Sequence, residues 1–350
     1  MKYSLQIEDL HIEGYEQVLK VTCESVQLVA VIAIHQTKVG PALGGIRAFP
    51  YLQFEDGLQD ALRLSKAMTY KALLSSTETG GGKSVIFLPK GMTSPTEGML
   101  RAFGQAVNSL QGKYIAAEDV GVSVQDVMII REETPYVCGL VTVSGDPSIY
   151  TAHGVFLCIQ ETADYLWKTD IRGKRVALAV QGLGAVGRKL VHELFFAGAE
   201  LIVYDTRKDL LDEVVTLYGA QVDENIISSD CDILCPCALG GIINSMSIDQ
   251  LRCRAIVGAT NNQLENPAIG RELVALARGI LYAPDYLANA GGLLNVAGSV
   301  GRAYSPKEVL SKVEGLPKIL RKLYEQGAKE NRDTGTLADA IVEERLAVYA

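Results

Sequence analysis

Residues 173–205 read GKRVALAVQGLGAVGRKLVHELFFAGAELIVYD. The apolar run VALAV, a glycine turn, the periodic stretch RKLVHELFFAG and a second apolar run predict strand, turn, helix and strand. Gly182, Leu183, Gly184, Ala185, Val186 and Gly187 fill the pattern G-x-G-x-x-G. Alone the pattern is weak; between a strand and a helix it gains specificity. The first glycine permits a tight turn, the second lets the backbone approach a pyrophosphate, and the third lets the helix pack on the strand. The helix then presents unpaired N–H groups and the positive end of its dipole to an anion. Asp205 ends the second strand, 18 residues after Gly187. A carboxylate there accepts ribose hydroxyls and repels a 2′-phosphate, which favours NAD over NADP, while Arg207 and Lys208 close behind leave room for some NADP tolerance. The plainer alternative is a βαβ unit whose glycines serve packing only.

Outward from this unit, strand-like and helical runs alternate through most of the 350 residues. VQLVAVIAIH (26–35), SVIFLP (84–89) and YIAA (114–117) predict strands, and 54–74 and 94–110 predict helices. The stretch 135–150 is rich in Gly, Pro, Ser and Thr and predicts a hinge. A helix to Trp167 follows, with later strands expected in RAIVGAT (254–260) and GILYAP (279–284) and helices after about 305. The fold class is therefore α/β in two domains with a cleft between them: residues 1–140, and a Rossmann-type dinucleotide-binding domain over 145–330.

Composition narrows the function classes. Hydrophobic residues make up 48% of the chain, enough for two cores, and the formal charge of −8 with no basic cluster argues against nucleic acid. LVAVIAI (28–34) is far shorter than the roughly 18 residues that span a membrane, and the N-terminus does not read as a signal peptide. No membrane partner and a cytoplasmic location are expected. Seven scattered cysteines fit a reducing compartment; CDILCPC (231–237) lacks a second ligand pair for zinc, so no metal is expected. The four histidines are isolated and carry no assignment.

TGGGKSVIFL (79–88) ends its glycine run in Gly-Lys-Ser and invites a phosphate-loop reading. That loop needs a glycine at 77, where Thr77 stands, and a helix after the lysine, where a strand is expected. Lys83 instead lies beside Gly80, Gly81 and Gly82, where a small molecule could approach the backbone. Lys71 sits on a helical stripe with Leu64, Ala67, Met68 and Leu74, for which snorkelling is the plain explanation. Glu118 and Asp119 follow YIAA, at a strand end where α/β proteins place chemistry. Two lysines and an acid on an NAD protein point to dehydrogenation of a carboxylate substrate.

Nine segments carry a family resemblance: GPALGGIR (40–47), DALRLSKAMTYK (60–71), TGGGKSVI (79–86), AAEDVG (116–121), SGDPSIYTAHG (144–154), QGLGAVG (181–187), CPCALGGIIN (235–244), ATNNQL (259–264) and APDYLANAGGLLNVA (283–297). In this collinear order the chain resembles the leucine dehydrogenase branch of the Glu/Leu/Phe/Val dehydrogenase family. The resemblance implies an N-terminal substrate and oligomerisation domain, a C-terminal NAD domain, and a last helix (about 334–350) that returns to the first. It implies that Lys71 pairs with the substrate α-carboxylate and that Lys83 is the catalytic lysine, its pKa lowered by burial and by the Lys71 charge. Asp119 would shuttle protons to and from the substrate nitrogen. Gly44 and Gly45 would offer backbone to the substrate, Thr151 would touch the nicotinamide side, and Asn262 would lie between cofactor and substrate.

The reaction so implied is reversible oxidative deamination of an L-amino acid to a 2-oxo acid and ammonia, in a homo-oligomer. The implied side-chain pocket is Leu43, Ala117, Leu293 and Val296, all apolar. Burying a γ-carboxylate there would be costly, which disfavours glutamate and favours a branched-chain substrate, leucine first. Phenylalanine or tryptophan is the alternative within the family, and a non-catalytic NAD-binding protein the alternative outside it. Two positions depart from the family pattern. Gly82 stands where a small non-glycine residue is common, and GSVGRAYS (298–305) replaces an acidic segment.

Overall fold

The computed structural model describes residues 2–174, 177–275 and 279–348, so Val176 of the expected VALAV strand and the last two residues lie outside the described residues. The chain divides into two compact units: residues 1–145 with 295–306 and 345–350, and residues 146–294 with 307–344.

The first unit is built on a six-stranded mixed sheet ordered β1-β2-β3-β5-β4-β6. Its strands are β1 (Gln6–Asp9), β2 (Gln17–Cys23), β3 (Leu28–Gln36), β4 (Ala42–Phe49), β5 (Gly80–Phe87) and β6 (Tyr114–Glu118). β1 to β3 form an antiparallel meander, β3 pairs antiparallel with β5, and β4 runs parallel to both β5 and β6. The helices are α1 (Phe54–Leu74), α2 (Glu97–Ser109), α3 (Val124–Arg131) and the short α4 (Val141–Ser144). Both sheet faces are covered, and the alternation along β3 shows it. Val31 and Ala33 pack with Ala61 and Leu62 of α1. Ala30, Ile32 and Ile34 pack with Met99, Leu100 and Phe103 of α2 and Ile130 of α3. A strand buried on both faces reads as the continuous apolar run seen at 28–34. α2 opens at Thr96, whose side chain accepts from the Met99 N–H.

The glycine run corrects the sequence reading. Gly80, Gly81 and Gly82 are not a loop before a strand; they are the buried first half of β5. They do not line room for a substrate, because each faces a protein neighbour. A Cβ on Gly80 would stand 1.9 Å from the Gln36 carbonyl oxygen, and one on Gly81 would stand 2.2 Å from the Thr69 nitrogen of α1. A Cβ on Gly82 would meet the Tyr114 ring at 2.7 Å. Tyr114 is fully buried there and donates to the Gly44 carbonyl at 2.9 Å.

The second unit carries six strands, all parallel: β7 (Ala177–Gln181), β8 (Glu200–Tyr204), β9 (Gln221–Val222), β10 (Ile233–Pro236), β11 (Ala255–Ile256) and β12 (Leu281–Tyr282). Their order β12-β11-β10-β7-β8-β9 is the doubly wound Rossmann order, which reverses between β7 and β10. Its helices are α5 (Pro147–Trp167), α6 (Ile171–Lys174), α7 (Ala185–Phe196), α8 (Lys208–Tyr218), α9 (Pro267–Ala275), α10 (Asp285–Ala288), α11 (Gly291–Ala297), α12 (Pro306–Val313), α13 (Leu316–Glu330) and α14 (Thr334–Val348). The expected hinge at 135–150 contains α4 and the first turn of α5. There Asp146 caps α5 by accepting from the Ser148 N–H, with Pro147 at the first helical position. α14 is grouped with the second unit up to Glu344, and residues from Arg345 with the first. Among the described residues no helix is long and apolar enough to cross a membrane.

Candidate active site

In the first unit, three parallel strands bring Lys83, Asp119 and Gly45 together. Lys83 lies on β5, Asp119 directly follows β6, and Gly45 lies on β4 between them. Lys83 is only 6% exposed, and its Nζ donates to Asp119 Oδ2 at 2.6 Å. Gly45 makes room for this pair: a Cβ there would stand 2.8 Å from Asp119 Cβ and 3.3 Å from Lys83 Nζ.

The electrostatics follow from burial and charge. Burial pushes the Lys83 ammonium below its ordinary pKa; the Asp119 carboxylate opposes this, and the Arg47 charge adds to it. The leading like charge is thus Arg47, where the sequence reading named Lys71. Burial alone would raise Asp119, but the Lys83 charge, the Lys83 hydrogen bond and the Arg47 charge outweigh it and hold the carboxyl below the usual range. A buried lysine with a depressed pKa can become neutral below the ordinary lysine range and take a proton, and the carboxylate beside it can accept or return one.

Arg47 carries no assignment from the sequence. Its Nε donates to Asp119 Oδ2 at 3.0 Å and its Nη1 to Asp60 Oδ2 at 2.8 Å. Its signal lay in GPALGGIR, where Arg47 follows Gly45 by two residues and so shares its side of β4. Asp60, 13 residues further on in α1, was not recognisable as its partner.

Lys71 lies half-buried in the last turn of α1, the helix that packs on β5. Leu43 is buried on β4, where it pairs with Gly81 of β5 and Ile115 of β6. Gly44 pairs with Ala116 and Gly45 with Ala117. Ala117 and Val296 both lie within 4 Å of the position a Cβ on Gly139 would take. Leu293 is buried on α11 and is grouped with the second unit. The departing segment 298–305 is tied down within the first unit. Arg302 donates to Glu78 at 3.0 Å, and the Tyr304 hydroxyl donates to Asn295 Oδ1.

In the second unit the glycine turn has three distinct environments. Gly182 takes φ +99°, and a Cβ there would strike Ala238 beyond β10 at 2.7 Å. Gly187 lies against the Gly182 carbonyl, which a Cβ would approach to 1.9 Å. Gly184 caps α7 with no side-chain hydrogen bond, and a Cβ there would meet open space. That open backbone at an uncapped helix N-terminus suits a pyrophosphate. Gly184 and Ala185 are exposed, Val186 is half-buried, and the Leu183 side chain is fully buried. Asp205 braces the turn: Oδ2 accepts from the Leu183 N–H at 2.6 Å and Oδ1 from the Arg207 N–H at 2.8 Å. Each oxygen keeps acceptor capacity for a ribose hydroxyl. The residues present therefore fit NAD.

Thr151 lies in the second turn of α5, its hydroxyl donating to the Pro147 carbonyl at 3.1 Å, with Gly292 packed against it. Asn262 is exposed with φ +54°, a left-handed conformation that asparagine tolerates, and its carbonyl accepts from the Gly241 N–H at 2.7 Å. Two residues on from Thr151 along α5, His153 bonds Glu193 of α7 at 2.8 Å, and that hydrogen bond raises its pKa.

Comparison with known proteins agrees with both units. Residues 16–136 match the Glu/Leu/Phe/Val dehydrogenase dimerisation domain, and residues 200–347 match the Glutamate/Leucine/Phenylalanine/Valine dehydrogenase domain. The chain is 40% identical over 344 residues to an L-tryptophan dehydrogenase of Nostoc punctiforme, covering 98% of this chain and 96% of that one. It is 42% identical over 338 residues to a leucine dehydrogenase of Geobacillus stearothermophilus, covering 95% and 90%. The crystal structure of L-tryptophan dehydrogenase from Nostoc punctiforme superposes with a TM-score of 0.85 at 39% identity, covering 96% of this chain and 97% of that one. The chain belongs to the Glu/Leu/Phe/Val dehydrogenase family, whose members are NAD-dependent amino-acid dehydrogenases.

Proposed function

We propose that the protein catalyses the reversible NAD-dependent oxidative deamination of a branched-chain L-amino acid, leucine foremost, as a cytoplasmic homo-oligomer. One observation carries the reading: a nearly buried lysine of depressed pKa bonded at 2.6 Å to an ionised aspartate, with a glycine making room for the pair. The first unit serves as the substrate domain and the second as the NAD domain. Lys71 meets the substrate α-carboxylate, and the backbone of Gly44 and Gly45 lies along the substrate. Leu43, Ala117, Leu293 and Val296 receive its side chain. Thr151 and Asn262 orient the nicotinamide side, and the 182–187 turn with Asp205 holds the pyrophosphate and ribose.

When bound, NAD supplies the hydride acceptor, chemistry that no side chain offers. The protein's own groups do the rest. Once the Cα hydride has left and the amine has become an iminium, neutral Lys83 takes a proton from the water that adds to Cα, giving a carbinolamine. Asp119 passes a proton to its nitrogen, the C–N bond breaks to release ammonia, and the hydroxyl loses its proton to Lys83 as the 2-oxo acid forms. The apolar side-chain positions reject a γ-carboxylate, while discrimination among leucine, isoleucine and valine rests on single methylenes worth about 1–3 kcal/mol each.

An aromatic substrate is the second reading. Gly139 presents no side chain toward Ala117 and Val296, and a methyl group at that position would make only ordinary contact with both. Gly139 thus adds no bulk of its own beside Ala117 and Val296, which favours a substrate larger than leucine on this side.

The deciding experiment is NADH formation from Leu, Ile, Val, Phe, Trp and Glu, with NAD and NADP in parallel. Leucine with NAD should give the highest kcat/KM and glutamate the lowest. A preference for tryptophan or phenylalanine selects the second reading, and silence with every amino acid overturns both. Asp205→Ala should raise KM for NAD about tenfold or more, because it removes a ribose acceptor and the brace on the Leu183 N–H. An unchanged KM would reject the ribose assignment.

A further inference from the structure

Among the charged clusters of the molecule, the one around Asp60 stands out because it ends on the proposed catalytic pair. Asp60 of α1 accepts from three side chains. Tyr51 OH and Arg47 Nη1 donate to Oδ2 at 2.6 and 2.8 Å, and Arg63 Nη2 donates to Oδ1 at 2.8 Å. Burial alone would raise the Asp60 carboxyl, but the hydrogen bonds from Tyr51, Arg63 and Arg47 hold it below the usual range, so it stays ionised. The other edge of the Arg47 guanidinium reaches Asp119 Oδ2, the same oxygen that accepts from Lys83.

We propose that Arg47, clamped by Asp60 and Tyr51, is a positioning residue that fixes the Asp119 carboxylate and keeps a permanent positive charge beside Lys83; this rests on the deamination reading of the site. The geometry requires an arginine. The planar guanidinium spans two carboxylates through separate N–H groups, whereas an ammonium on a flexible stem is a point charge. With Arg47 as a third party, Asp119 is oriented even after Lys83 loses its proton, when the Lys83–Asp119 ion pair no longer exists. A base that must work neutral needs its neighbour held by something that does not titrate.

The groups acting on Lys83 come from each neighbouring element. They are Asp119 after β6, Arg47 on β4 and Asp60 on α1, with Tyr114 of β6 close to Asp119. α1 also carries Lys71 and Arg63, and β3 carries His35, whose ring bonds Thr69 of α1. Removing Arg47 deletes a like charge and frees Asp119 to bond Lys83 alone. Both effects make the ammonium harder to deprotonate, so they add.

The test compares wild type with Arg47→Met, Arg47→Lys and Asp60→Asn, using two readouts. The first is the pH profile of kcat for leucine deamination. The second needs no turnover: the pH dependence of Lys83 acetylation by trace acetic anhydride, read by mass spectrometry. Arg47→Met should move the midpoint of both curves up by about one pH unit or more, the size expected of a charge within hydrogen-bonding range of the pair. Arg47→Lys should keep the midpoint near wild type yet lose about tenfold or more in kcat, because charge returns but the fork does not. Asp60→Asn should lower kcat with KM for NAD unchanged. An unmoved Lys83 midpoint in Arg47→Met, or an Arg47→Lys kcat within twofold of wild type, overturns the proposal. If Arg47→Met does not fold, the Arg47→Lys and Asp60→Asn results decide. Absence of turnover in wild type rejects the deamination reading instead, a different outcome from active wild type with indifferent variants.

Discussion

Lys83→Ala should lower kcat for amino-acid oxidation by about 10³–10⁴-fold, the upper part of what a positioned general base contributes. Of the two cations seen to bond Asp119, Lys83 and Arg47, the arginine does not give up its proton and so does not take over as base. Folding should survive. Deleting one partner of a buried ion pair is costly when the other charge is left unpaired, but Asp119 keeps Arg47 at 3.0 Å. NADH binding should be unaffected, because the glycine turn and Asp205 belong to the other unit. The measurement is steady-state kcat beside NADH affinity by fluorescence titration. A kcat within tenfold of wild type would remove Lys83 from the chemistry. The wild-type pH profile carries the same assignment with a definite sign. Lys83 is depressed by burial, so activity should rise with pH along a limb below the ordinary lysine range. Asp119 opposes that depression, so Asp119→Asn should move the limb to lower pH while reducing its height.

Regular elements with uniform surroundings were legible in the sequence. The helix expected over 54–74 is α1 at Phe54–Leu74, and the run 26–35 became β3 at Leu28–Gln36. The Rossmann unit was legible because its three glycines have separable reasons: Gly182 faces Ala238, Gly187 faces the Gly182 carbonyl, and Gly184 faces open space. What failed was the run at 80–82. Glycine is depleted in strands, so local propensity argues for a loop. The strand forms because its neighbours come too close for any side chain: Gln36 on one side, α1 above and the Tyr114 ring below. Those neighbours are contributed by residues 12 to 44 positions away in the chain, and no local rule encodes them. Arg47 was missed for the same reason, since its two carboxylates come from α1 and the end of β6. The strand order β3-β5-β4-β6, which makes those encounters possible, was likewise not readable from periodicity.

Gly45→Ala is the second large effect expected, and it tests whether the approach of Lys83 to Asp119 matters rather than their mere presence. The added methyl carbon would stand 2.8 Å from both Asp119 Cβ and the Glu118 carbonyl oxygen, and 3.3 Å from Lys83 Nζ. The first two distances are shorter than real Cβ contacts, and the Glu118 oxygen belongs to β6, which is paired to β4 at this point. Relief must come from a shift of β6 or a swing of Asp119, and either one opens the 2.6 Å hydrogen bond. Overpacking of this kind costs about 1–3 kcal/mol of stability, which a 350-residue protein should tolerate. Displacing a catalytic group by about 1 Å costs on the order of 100-fold in rate. The expected result is therefore a folded variant, lower in Tm by a few degrees, with NADH affinity unchanged and kcat down about 100-fold. Its pH limb should move downward, because a Lys83 farther from Asp119 loses the interaction that raises its pKa. A folded Gly45→Ala with kcat within threefold of wild type would mean that turnover does not require the close pair, and that Gly45 serves only the pairing of β4 with β6.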